Sequence, residues 1–352
     1  MDSSVGLCQM SSYGSTIGTA LGMRYVGFIK LFDPARVEVL RNLVRDRMYH
    51  PRNPDPLKVF IKPEPHKLSK VQEGRYRLIC AVSLVDTMVD RIMFGWLQQA
   101  ALASIAGTPC MIGWNPLRGG FRYLLTKFRG RMTRGLDKTA WDWTVKKWLI
   151  LAVKDVIREM ALGANDFWQT WFDVRWEALF RDAVFAFSDG TLVCQPDWGV
   201  MKSGCYLTIL INSIGQMLYH VVACDSIGIS PDTLDYVTLG DDVTIVDFPE
   251  FSRYEAAVQR YGALLKPSKP TSHVEFAGFL FVRENEVDKC WPEYWRKHVY
   301  SICHQHRNLA SALQSYQLLY VFEPVMLGWI RKVLAKVDAS LVRSDRALKA
   351  TW

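Results

Sequence analysis

No two of the eight cysteines, at 8, 80, 110, 194, 205, 224, 290 and 303, stand as C-x-x-C. A chain of 352 residues can build a core without covalent staples. The thiols therefore read as reduced, in a cytosolic setting. Also missing is any uninterrupted apolar run of about 18 residues, the length a membrane-spanning helix needs. The nearest run, 206–224, is broken by Asn212, Gln216 and His220 and reads as a buried helix. Residues 1–5 are polar with no basic run, so no signal peptide is expected. No internal repeat or low-complexity tract is visible. Apolar residues make up 49% and charged residues 22%, which excludes a disordered, collagen-like or coiled-coil chain.

What is abundant is aromatic and basic. There are 13 Trp, and 43 Lys and Arg stand against 35 Asp and Glu, a net charge of +8. That balance favours a polyanionic partner. Six basic and two acidic side chains crowd residues 58–77, and eleven basic against seven acidic residues follow from Arg283 to the end.

Periodicity divides the chain. Residues 50–76, with Pro51, Pro54, Pro56, Pro63 and Pro65, are expected to be extended rather than helical. Helical spacing marks 82–104 and about 144–160, and 109–120 is a loop. Residues 165–187 are aromatic and amphipathic. Gly204 is expected to open a long helix to about Val222, and a further helix covers about 254–265. A strand is expected near 134–137, a strand pair at 274–282, and helices after 291. The runs 234–239 and 243–246, joined by Gly240-Asp241-Asp242, read as a hairpin with an acidic tip.

Carboxylates thus fall at two strand ends: Asp137, with Asp142 five residues on, and Asp241-Asp242. If the strands are neighbours, the oxygens converge, and hard divalent cations bind such oxygens. A second set, Cys290, Cys303, His304 and His306, carries zinc-type donors at a spacing that matches no common finger. On the apolar helix expected after Ser203-Gly204, Thr208 and Asn212 share one face. They suit either a helix–helix hydrogen bond or recognition of a sugar hydroxyl together with Asp142.

The order Asp137-x4-Asp142, Ser203-Gly204-x3-Thr208-x3-Asn212, Gly240-Asp241-Asp242 resembles motifs A, B and C of viral RNA-dependent RNA polymerases. The residues around Asp137 are similar to sobemovirus-like and polerovirus-like enzymes of the picornavirus-like supergroup, invertebrate sobemo-like viruses in particular. Upstream, Lys62, Glu64, Lys70, Arg75 and Arg77 resemble motif F, which lines the triphosphate tunnel. Lys269, preferred slightly over Lys266, lies where motif D carries a lysine. Phe276-Ala277-Gly278 is similar to motif E, and Ser12 and Gly14 to motif G.

The resemblance implies an α+β right-hand polymerase with an antiparallel palm sheet (an RRM-like core), fingers and a short helical thumb. It implies fingers at 1–130, with the 82–104 helix packing on the palm. Palm segments follow at 131–162 and 200–282, a fingers insertion at 163–199, and a thumb at 283–352. It implies RNA synthesis from NTPs on an RNA template for viral genome replication and transcription. Two Mg²⁺, replaceable by Mn²⁺, would sit on Asp137, Asp241 and Asp242, with Lys269 as proton donor. NTP contacts would come from Lys62, Lys70, Arg75, Arg77, Asp142, Ser203, Thr208 and Asn212. RNA contacts would come from Gly204, Ser12, Gly14, Phe276 and Gly278. Expected partners are template, primer or nascent strand, NTPs and other viral replication proteins, in replication complexes of the host cytoplasm. The chain is short for such enzymes, which are often made within a polyprotein or by frameshifting, so whether Met1 is the natural start stays open. Two alternatives stay open: a reverse transcriptase, against which Gly240 before Asp241 argues, and a non-catalytic basic RNA-binding protein.

Overall fold

A computed structural model describes residues 2–304 and 308–352. Its strands, in chain order, are β1 (Arg24–Val26), β2 (Ile29–Leu31), β3 (Leu57–Ile61), β4 (Leu78–Ala81), β5 (Thr133–Gly135) and β6 (Val184–Ala186). They continue with β7 (Leu192–Cys194), β8 (Tyr236–Leu239), β9 (Asp242–Val246), β10 (Val274–Phe276), β11 (Phe279–Glu284) and β12 (Val287–Pro292). The chain packs into two units.

The first unit comprises 1–104, 139–219 and 260–264. Its sheet has the order β4-β3-β6-β7, with one parallel pair, β3 beside β6. Helix Leu84–Ala103 starts where Ser83 Oγ accepts from the Asp86 amide, and it buries Val85, Val89, Met93 and Leu97 on one face. Helix Asp166–Phe180 carries Trp168, Phe172, Trp176 and Phe180 at four-residue steps. Neighbouring rings along this stripe are 4.8–5.3 Å apart. Under it lies a buried ion pair: Arg175 donates to both oxygens of Asp90 at 2.7 and 2.9 Å. Burial works against the charged guanidinium, but Asp90 outweighs it and holds Arg175 above its ordinary value.

The second unit comprises 105–138, 220–259 and 265–352. Its first sheet, β5-β9-β8, is antiparallel, and its second is the meander β10-β11-β12. The core gathers Phe121, Leu124, Val237, Phe276, Phe281, Leu313, Ile330 and Leu334. Helix Pro324–Asp338 is set by a proline in its first turn and by Glu323, which accepts from the amides of Val325 and Met326.

Several boundaries differ from expectation. The stretch 50–76 is not all extended, because its proline-free end forms the short helix Leu68–Gln72. The helix after Ser203-Gly204 begins at Thr208, leaving 203–207 as a loop, and runs to Ile227. The next helix is Phe251–Arg260 rather than 254–265. A third strand, β12, follows the expected pair. All eight cysteines are free. Among the described residues no three His, Cys, Asp or Glu side chains form a ready-made metal cage. Cys290 is buried, Cys303 is exposed, the His304 ring stacks on Tyr300, and His306 lies outside the described residues.

Candidate active site

The acidic centre is built by strand pairing in the second unit. β5 pairs with β9 so that Gly135 lies opposite Thr244, and the Leu136 amide donates to the Val243 carbonyl at 2.8 Å. The next residue is Asp137. On the other side β9 turns into β8 through Gly240-Asp241, closing Leu239 against Asp242. Gly240 has φ +66°, a backbone conformation that glycine adopts at no steric cost. Three carboxylates therefore converge from two adjacent strands.

Their fields interact. Asp242 is exposed as a residue, yet its carboxyl is pushed up to about 6, first by desolvation of the carboxyl among its neighbours and then by the charges of Asp241 and Asp137. Glu293, just after β12, adds to the repulsion. It is itself raised, chiefly by burial. Two lysines oppose this charge. Lys138 is buried, with Nζ 3.4 Å from the carbonyls of Leu136 and Asp241. Burial lowers its ammonium to about 8 against the attraction of the three aspartates. Lys266 forms an ion pair with Asp137, and its amide donates to the Asp137 carbonyl at 2.9 Å. Arg134 fixes that segment by donating to Asp247 at 2.6 Å and to the Ser268 carbonyl at 2.9 Å. The lysine brought to Asp137 is thus Lys266, while Lys269 lies exposed three residues on. Sequence reasoning missed Lys138 and Glu293, since neither belongs to a spaced motif.

The donor set suits a hard divalent cation: three carboxylates, mutual repulsion that raises Asp242, and a lysine ammonium standing as the counter-charge on Asp137.

In the first unit, Trp141 Nε1 donates to Asn212 Oδ1 at 2.9 Å, and both side chains are buried. With its oxygen accepting, the Asn212 amide keeps its N–H donors for another partner. Asp142 follows in the short helix Trp141–Thr144, where its carbonyl accepts from the Met201 amide at 2.7 Å. Ser203 Oγ spans the end of β4, 3.4 Å from both the Cys80 amide and the Leu78 carbonyl. Thr208 turns its hydroxyl back to the carbonyls of Lys202 and Cys205. Gly204 has a packing reason: a Cβ there would lie 2.5 Å from the Cys80 carbonyl oxygen.

Beside this loop sits Lys202, fully buried. Its ammonium donates to the Gly199 and Val200 carbonyls at 3.2 and 2.8 Å and to Gln195 Oε1. Burial drives it down to about 7. A lysine beside Ser-Gly reads as one more basic residue in sequence, so this role was not legible there.

The basic segment is organised by one carboxylate. Glu64 is largely buried and pairs with Lys62 at 3.2 Å and Arg77 at 2.9 Å. Lys70 stands in the last turn of Leu68–Gln72, and Arg75 is paired with Glu73. The remaining expectations fare differently. Phe276 is buried against Trp114, with ring centroids 5.6 Å apart, so its side chain is a core residue rather than an RNA contact. Gly278, at φ +75°, makes the turn into β11. Ser12 caps its own turn, donating to the Gln9 carbonyl at 2.8 Å, and a Cβ on Gly14 would strike Thr19.

The sequence profile of the family described as "Viral RNA-dependent RNA polymerase" matches residues 37–288. The replicase polyprotein P2AB of Southern bean mosaic virus is 33% identical over 256 residues, covering 69% of this chain and 25% of that protein. Protein P1-P2 of Potato leafroll virus is 30% identical over 217 residues, covering 54% and 20%. The chain thus spans about a quarter of the length of these curated relatives. Among solved structures, the Sicinivirus 3Dpol RNA-dependent RNA polymerase superposes with a TM-score of 0.76 at 14% identity, over 100% of this chain and 76% of that one. At that identity the likeness speaks for the fold alone.

Proposed function

The chain belongs to the viral RNA-dependent RNA polymerase family and has the right-hand polymerase fold, and from that premise we propose that it copies an RNA template by nucleotidyl transfer from NTPs. The observation that carries this reading is the convergence of Asp137, Asp241 and Asp242 at the ends of paired strands. The palm is assigned to β5-β9-β8 and its motif segments, with fingers before and between them and a thumb after residue 283.

Asp137 and Asp241, with Asp242 assisting, would hold two Mg²⁺. When bound, the ions supply charge neutralisation for the 3′-oxygen and for the triphosphate. Desolvation and the neighbouring carboxylates raise Asp242 to about 6, and a cation held there would favour its ionised form. Arg77 and Lys62, presented by Glu64, bind triphosphate oxygens, the guanidinium as a fork and the ammonium as a point charge. Lys70 and Arg75 add charge to the same entry surface. The free donors of Asn212 and the Asp142 carboxylate read the ribose 2′-OH. Ser203 supports them, and Thr208 holds the loop. Lys266 balances Asp137, and the exposed Lys269 is the proton donor to the leaving pyrophosphate. Positioning and charge placement carry most of the rate, because phosphoryl transfer asks little covalent chemistry of the protein.

RNA template, nascent strand and NTPs are the proposed partners, with other replication proteins in the host cytoplasm. No described helix is long and apolar enough to cross a membrane. The test is primer extension with each rNTP and dNTP. Wild type should incorporate rNTPs with Mg²⁺ or Mn²⁺ and stop on chelation. Asp241→Ala should still bind RNA but incorporate nothing. Elongation by that variant would refute the assignment. Preferential dNTP incorporation would mark a reverse transcriptase. Salt-sensitive RNA binding without incorporation by wild type would mark a non-catalytic binding protein.

A further inference from the structure

Two residues that are not glycine hold a positive φ on either side of one hydrogen bond in the first unit. The Met201 amide donates to the Asp142 carbonyl at 2.7 Å. Val200, just before Met201, has φ +49°, and Ala140, two residues before Asp142, has the same angle. For a β-branched side chain this is a strained conformation, and such strain persists only where the surroundings impose it.

The surroundings of Val200 are built on Lys202. Its Nζ donates to the Val200 and Gly199 carbonyls and to Gln195 Oε1, so three acceptors use all three N–H bonds of an ammonium. Two consecutive carbonyls thus point at one atom. An extended backbone turns successive carbonyls to opposite sides, and the positive φ at Val200 is what brings these two together. Gln195 holds the far side: its Nε2 donates to the carbonyls of Phe180, Asp197 and Gly199 at 2.7, 2.6 and 3.1 Å. The rings of Phe180 and Phe185 wall the ammonium at 5.3 and 5.7 Å. Among the described residues no carboxylate forms an ion pair with it. A methionine would fill this space at a lower desolvation cost, so what the ammonium adds is direction rather than stability. Beyond the turn, Ser203 meets β4, Gly204 forms a parallel bridge with Ala81, and the Thr208 hydroxyl donates to the Lys202 carbonyl.

We propose that Lys202, together with Gln195, is a positioning residue for nucleotide selection: its ammonium holds Val200 in the strained turn and so keeps the Met201 amide on the Asp142 carbonyl and Ser203 against β4. Lys202 is fully buried and acts through Asp142 and Ser203. The inference rests on the polymerase reading, which gives those two residues their substrate. Without the ammonium, Val200 relaxes to a negative φ, the Met201 amide turns away, and Asp142 loses its backbone anchor. The acidic centre is built by other strands, so the loss falls on nucleotide binding and sugar choice rather than on the chemical step.

The test compares Lys202→Met with the same variant carrying Val200→Gly, in the full chain. Glycine takes a positive φ at no steric cost, so it supplies the turn without the ammonium. In primer extension, Lys202→Met should raise KM for ATP and lower the preference for ATP over dATP in kcat/KM. Each should move by at least roughly fivefold, the low end of what one strained residue stores, with a smaller change in kcat. Adding Val200→Gly should recover most of both. Amide hydrogen exchange over 199–205 should follow the same order: slow in wild type, faster in Lys202→Met, slowed again by the glycine. Gln195→Met releases the ammonium by a second route, and joining it to Lys202→Met should add little if the two act as a unit. If Lys202→Met melts at the assay temperature, Gln195→Met with and without Val200→Gly carries the same comparison. Unchanged exchange in the released variants overturns the proposal. So does faster exchange with KM and sugar preference unmoved, which would leave Lys202 a packing residue, and so does a glycine that recovers neither. No extension by wild type sinks the polymerase reading and the positioning role with it. Normal extension by wild type with unmoved exchange in the variants sinks the positioning role alone.

Discussion

Trp141→Phe removes the indole N–H donor. The indole N–H donates to Asn212 Oδ1 at 2.9 Å between two buried side chains. Phenylalanine fills most of the space but has no donor, so the amide oxygen is left unpaired at a cost of about 1–3 kcal/mol. The amide then relieves that cost by rotating, which turns its own N–H donors away from the position proposed for the ribose hydroxyl. If one neutral hydrogen bond of about 1 kcal/mol to the 2′-OH is lost, discrimination between ribo- and deoxynucleotides falls roughly fivefold. The assay compares kcat/KM for ATP and dATP in primer extension across a cycle of Trp141→Phe, Asn212→Ala and the double variant. If the tryptophan acts through the asparagine, the double variant should discriminate no worse than Asn212→Ala alone. Additive losses would refute the coupling. A lowered melting temperature with an unchanged ratio would leave the pair a packing contact only.

Three further outcomes are expected. Glu64→Gln should release Arg77 and Lys62, raising KM for NTP several-fold with a smaller change in kcat, read from steady-state extension. Lys269→Met should lower kcat and remove the solvent isotope effect of proton donation, whereas Lys266→Met should chiefly alter the metal concentration needed for half-maximal rate. Lys202 gives a pH dependence. The folded chain holds its proton only to about 7 and the unfolded chain to its ordinary 10.5, so the unfolded state binds more protons between those values. Stability of wild type relative to Lys202→Met should therefore rise as pH climbs through that window, measured by urea unfolding. A flat difference would refute the burial argument.

The acidic tip was legible because a Gly-Asp-Asp turn between two β-rich runs is local chemistry, and the structure keeps Gly240 at positive φ. The long helices were legible from apolar spacing, as along 84–103. The edges were less so. The loop 203–207 looked helical because nothing in its residues announces that Gly204 must pass within 2.5 Å, at its Cβ position, of the Cys80 carbonyl. Phe276 could be read as a primer-strand contact or as part of a plain buried strand, and its burial could not be told from the tripeptide alone.

By itself the sequence determined the class of protein and the residue types of its chemistry: carboxylates at strand ends, a basic segment around one glutamate, a polar pair on an apolar helix. These are short-range patterns, and hydrophobic period and turn chemistry suffice to specify them. Only tertiary structure decided which lysine meets Asp137, that Trp141 orients Asn212, that Lys202 is buried among carbonyls, and that Glu293 joins the acidic field. Each depends on contacts between residues far apart in the chain, or on desolvation that packing alone creates.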